Sequence, residues 1–192
     1  MSLKTNVPDR NYPALFLALD DVLEAVFEGK PREEALQASF ADAAEGFGAE
    51  KAVLLGIEGP GSTRRHALAH KGLADYEVIA CEGGRSVPGV STSCIGEAAE
   101  NGKIVLIQDT ARPAGGLVSG ALGGAYSVLC APILDPHGGR TLAVLYLQND
   151  GVRNAFGEID RSWIEVYARA LGRAMAGPRA PAKATPPGEG ES

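Results

Sequence analysis

The chain has 192 residues, 45% of them hydrophobic and 22% charged, with 18 basic against 24 acidic residues and a net charge of −6. That balance excludes a disordered chain and a coiled-coil rod, and an acidic surplus without a cationic cluster excludes direct nucleic-acid binding. Apolar runs stay under ten residues, too short for a membrane span, and the start MSLKTNVPDR lacks the apolar stretch of a secretory signal.

In chain order, residues 1–12 read as a polar lead. Residues 13–28 place Leu15, Leu19, Val22 and Val26 at helical steps, with Phe16, Leu23 and Phe27 widening the stripe. Gly29 stops that helix and Pro31 opens a second one carrying Leu36, Phe40, Ala43, Ala44 and Phe47. AVLLGIE (52–58) reads as a buried strand, EGPGS as a turn, and 63–70 as an alternating strand. SCIGEAAEN (93–101) is helical, capped by Gly102, and KIVLIQD is a short strand. Residues 111–125 form a loop with five glycines in ten positions. Residues 126–134 and 140–148 are strands joined by the DPHGG turn, and Pro132 demands an edge or a bulge. A final helix starts near Asp160 with Trp163, Val166, Tyr167, Ala170, Leu171 and Ala174 on one stripe. Residues 177–192 hold four of the twelve prolines and three glycines, the composition of a linker or tail. The domain therefore spans 13–176, and the order of elements predicts an α+β fold.

Few residues form a chemical constellation. The GEAAENGKI segment spaces its glycines wrongly for a phosphate-binding loop and follows it with Ile104 where Ser or Thr is needed. GVSTS lacks the second glycine of a hydrolase elbow. His66 and His70 lie on a strand, about 13 Å apart, too far to share a metal. Asp135 and His137 belong to turn chemistry. Cys81, Cys94 and Cys130 are odd in number and widely spaced, which reads as free thiols in a reducing cytoplasm. Cys130, between Leu129 and Ala131, reads as a small core residue. Cys81 and Cys94 are the candidates for a redox role, Cys94 because it heads a helix, where a thiol pKa can fall.

Three stretches resemble the GAF domain, a small-molecule sensor module. They are VSTSCIGEAAENGKIVLIQDT (90–110), SVLCAPILDPHGGRTLAVLYLQN (127–149) and FGEID (156–160). The style is closest to modules of bacterial signalling proteins such as sigma-54-dependent transcription activators, forkhead-associated/GAF proteins and histidine kinases. The resemblance implies a PAS-related central antiparallel sheet. The first, second and last helices bundle on one face, and residues 75–125 roof a ligand pocket on the other, with the glycine-rich loop as its lid. It also implies a homodimer formed through helices 13–28 and 160–176. Residues placed to meet a ligand are Cys94, Asp109, Thr110, Arg112, Tyr126 and Ser127, with Arg112 suited to a carboxylate or phosphate. The ligand is an unidentified small molecule, and no cofactor or metal is expected. Where cyclic-nucleotide-binding members carry Asn-Lys and Phe-x-x-x-Asp-Glu, this chain keeps Asn149, Phe156 and Asp160 but has Asp150 and Arg161, a charge reversal that would allow a swapped ion pair. Two alternatives stand beside the sensor: a dimerisation module whose pocket is filled by its own side chains, and a thiol redox enzyme of the free methionine sulfoxide reductase type.

Overall fold

A computed structural model describes residues 10–28, 32–59, 64–85, 87–109, 126–150 and 152–176. The polar lead (all but its last three residues), the glycine-rich loop and the C-terminal segment therefore lie outside the described residues. The elements are α1 (Tyr12–Glu28), α2 (Arg32–Gly46), β1 (Lys51–Ile57), β2 (Arg65–Lys71), α3 (Asp75–Gly83), α4 (Thr92–Asn101), β3 (Val105–Ile107), β4 (Tyr126–Leu134), β5 (Thr141–Asp150) and α5 (Glu158–Ala176). The strands form one antiparallel sheet in the order β2-β1-β5-β4-β3.

Alternation along the strands divides the apolar residues between two cores. On one face Leu54, Leu129, Ile133, Leu145 and Leu147 meet Leu15, Phe40, Phe47, Ile164 and Leu171 from α1, α2 and α5. On the other, Val53, Leu55, Val128, Cys130, Val144 and Tyr146 meet Cys81 of α3 and Cys94, Ile95 and Ala98 of α4. The central strands are buried on both sides, and for that reason β1 and β5 read as continuous apolar runs.

Local chemistry fixes the ends. Gly84 and Gly102 close α3 and α4 in the left-handed region (φ 63° and 61°), as a C-cap requires. Asp160 begins α5 by accepting a 2.8 Å bond from the Gly157 N–H, and pairs with Arg10 at 2.7 Å. The Arg10 guanidinium also donates to the carbonyls of Phe47 and Ala155. Pro132 lies beyond the reach of β3, which pairs β4 only from Val128 to Cys130, and one residue before the register shift at Ile133/Leu134. It thus occupies a local edge, where a missing ladder donor is tolerated.

Candidate functional site beneath the two short helices

Beneath α3 and α4 a continuous strip of polar side chains is buried along the seam, where the bundle face has the Ser39–Tyr167 contact at 2.7 Å and the Arg10–Asp160 pair. Lys51 Nζ on β1 reaches Glu77 Oε1 at 2.9 Å and Asp150 Oδ2 at 3.2 Å. Glu77 turns its other oxygen back to the Ala74 N–H at 2.8 Å, which caps α3. Burial works to lower the Lys51 pKa, but the carboxylates of Glu77 and Asp150 outweigh it and the ammonium is held above its ordinary value. On β5, the Tyr146 hydroxyl donates to Gln148 and accepts the Ser91 N–H at 3.0 Å. Gln148 Nε2 donates to the Gly89 carbonyl at 2.9 Å and to Asp150. This strip ties the turn between α3 and α4 to the sheet.

Three fully buried thiols line the same face. Burial pushes Cys81 up to about 12. It raises Cys130, in mid-sheet, well above its ordinary range. Cys94 is raised by burial too, although the Ser91 hydroxyl, 2.9 Å from its sulfur, pulls the other way. The helix start was expected to favour the thiolate; desolvation overrides it here. Among the described residues no group of three His, Cys, Asp or Glu side chains is placed to hold a metal ion.

A family model describing the GAF domain matches residues 31–175. The chain belongs to the GAF domain family. Solved structures agree on the fold. Among them are the free methionine-R-sulfoxide reductase from Neisseria meningitidis, with its substrate (18% identity, TM-score 0.62, covering 90% of this chain and 95% of that one), and the GAF domain of a phosphoenolpyruvate-protein phosphotransferase from Coxiella burnetii (20% identity, TM-score 0.59, 86% and 95%). A putative GAF sensor protein from Burkholderia vietnamiensis matches comparably (18% identity, TM-score 0.60, 85% and 94%). No curated protein sequence matches the chain.

Within this GAF domain the residues expected to meet a ligand are dispersed. Cys94, in the first turn of the roof helix α4, points its thiol into the core beneath it. Asp109 follows β3 and pairs with Arg153 at 3.3 Å. Ser127, buried at the start of β4, lies 2.9 Å from the Gln108 carbonyl and 3.0 Å from that of Val152, and accepts the Ala155 N–H at 2.8 Å. It is spent on holding loops to the sheet. Tyr126 opens β4, and its side chain, like Thr110 and Arg112, lies outside the described residues. The swapped ion pair does not form: Asp150 goes to Lys51, and Arg161 to Glu158 at 3.6 Å. Asp135 does hold its turn, accepting the His137 N–H at 2.9 Å and pairing with Arg140.

The sequence reading missed α3 as an element, the buried Lys51–Glu77 pair and Arg65. Arg65 opens β2 opposite Ile57, on the thiol side of the sheet. The one signal for α3 was the acidic first turn, Asp75 and Glu77, ahead of a glycine stop. Open cavities occur elsewhere. One of about 520 Å³ lies between β4 and α5, against Lys103, Pro132 and Arg169. Another of about 550 Å³ follows β3.

Proposed function

We propose that the chain is a regulatory domain that senses a small molecule between its sheet and the α3/α4 roof and controls an attached or partner effector, of the transcription-activator or kinase kind. One observation carries this reading. The sheet has two covers, a bundle of long helices and a pair of short helices that add a strip of buried polar contacts to their apolar cluster. The roof helices have 9 and 10 residues against 15 to 19 in the bundle, and their polar contacts exchange with water or ligand at little net cost. The roof is therefore the side able to open. In the closed state Tyr146, Ile95 and the thiols fill the space beneath it, so a ligand enters by lifting the roof and shifts the population toward that arrangement. Since β4 contributes Val128 and Cys130 to one core and Leu129 and Ile133 to the other, a changed roof repacks the strand that α5 rests on.

The redox alternative draws on the sulfoxide reductase likeness and on the three thiols. Their upward shifts disfavour thiolate nucleophiles, and the sensor reading is accordingly non-enzymatic. Native mass spectrometry of the purified protein against a denatured control tests the proposal. Extra mass lost on denaturation, together with hydrogen exchange that slows in α3 and α4 when that mass is present, is the expected result. Exchange unchanged by any bound mass would favour a ligand-free dimerisation module instead.

A further inference from the structure

Arg65 is partly buried, and it is the one described arginine with guanidinium nitrogens that are buried and unpartnered, Nε and Nη1. Its position is well defined. A methyl built on Gly84, at the end of α3, would lie 4.0 Å from Nη1, and one on Gly96, within α4, 3.8 Å from Nη2. The guanidinium thus sits where β2, α3 and α4 converge, under the roof. Its charge reaches the thiols there, drawing Cys81 and Cys130 downward against the larger effect of burial. Glu82 of α3 directs one carboxylate oxygen to the Ala67 N–H at 2.7 Å.

Buried donors without acceptors are unfavourable, and folded proteins seldom leave them so unless a ligand or water completes them. Guanidinium donors are matched by the planar oxygens of a carboxylate. On the same face of the sheet, Ile57, Ala67, Val78 and Ala99 pack as hydrocarbon against the thiol cluster. Glu77 and Glu82 both act on Cys81 from the same region and would oppose a second negative charge. We infer that Arg65 anchors an oxyanion subsite under the α3/α4 roof, and that its ligand is a small monocarboxylate with an apolar body. The inference rests on the sensor reading for its location and adds the chemical class of the ligand.

The test is thermal unfolding of the whole chain with sodium butyrate as probe, against sodium phosphate and sodium chloride at equal ionic strength. The wild-type midpoint should rise saturably with butyrate, by about 5 °C at a hundredfold excess over Kd. Arg65→Met should unfold at or above the wild-type temperature without probe, since it removes two buried donors that lack acceptors, and should not respond to butyrate. If that variant fails to fold, Arg65→Lys, which keeps one point charge, should respond with at least tenfold weaker affinity. Equal responses in wild type and variants, no response to butyrate, or a phosphate response as large as that to butyrate would each overturn the assignment. Hydrogen exchange separates this from the sensor reading. An Arg65-dependent butyrate shift without any change in α5 upholds the site and removes the signalling role. A co-purified mass retained by Arg65→Met upholds a sensor pocket and overturns Arg65 as its anchor.

Discussion

Ser127 and the three thiols show how much a single buried group decides. The Ser127 hydroxyl serves Gln108, Val152 and Ala155 at once. Ser127→Ala should therefore cost about 1–3 kcal/mol, the penalty of stranding buried backbone groups, read as a lower urea midpoint with an unchanged m-value. The thiols predict a response to alkali. In the unfolded chain each titrates at roughly 8.5, whereas folding keeps Cys81 protonated to about 12 and raises Cys94 and Cys130 as well. Above pH 8.5 the folded state binds more protons than the unfolded one. Stability present below that pH is then lost as pH rises, by about 1.4 kcal/mol per pH unit for each thiol still protonated. Urea titrations from pH 8 to 11 check the slope, and the Cys81→Ala variant should flatten it. A chromogenic disulfide at pH 8 should find no fast-reacting thiol before unfolding. Sequence spacing had already suggested that Cys130 is a core residue. It gave no hint of Arg65 or Lys51, because their contacts come from elements remote in the chain.

At the level of elements, Gly172 sets how closely α5 lies on the sheet. A Cβ there would stand 2.2 Å from the Leu134 carbonyl oxygen, which is backbone and cannot swing aside. Helix propensity alone would credit Gly172→Ala with about 1 kcal/mol of gain. The contact instead predicts a net loss of about 1–3 kcal/mol as α5 is pushed from β4, and thermal unfolding of the variant decides the sign. Elements with a strong period were legible from sequence: α1, α2 and α5 by their stripes, β4 and β5 by apolar runs about a turn. Helix α3 was not. DYEVIACEG buries Glu77 as well as Ala80 and Cys81, so its inward face does not read as apolar, and its burial depends on an ion pair with β1. The HALAH segment was read correctly as strand because alternation, unlike a pair of ligand-type residues, is a statement about backbone.

For the whole molecule, the apolar stripes of α1 and α5 exceed what the bundle buries. Phe16, Leu23 and Phe27 stand 58%, 41% and 87% exposed on α1, and Ile159 and Val166 65% and 49% on α5. Phe16 meets Trp163 edge-on at 4.9 Å, which joins the two rows into one surface. Their steps of seven, four and three residues are those of a helical seam, and a surface of this kind fits a second copy of the chain. We propose that two copies pair through this surface: light-scattering chromatography should then give a dimer for the parent chain and a monomer for Phe16→Glu with Phe27→Glu, with unchanged far-ultraviolet dichroism. The surplus was visible in the sequence as a stripe wider than a bundle needs; which of its residues stay outside required the packing. The Arg10 clamp bears on how such a module is wired. Because Arg10 grips Asp160 and Tyr12 stacks on Trp163 at 5.5 Å, α1 and α5 start side by side, and α5 then runs 19 residues, roughly 28 Å at 1.5 Å per residue. A domain fused ahead of residue 10 and one fused beyond residue 176 would therefore attach at opposite ends of α5, and the module would transmit between them along that helix.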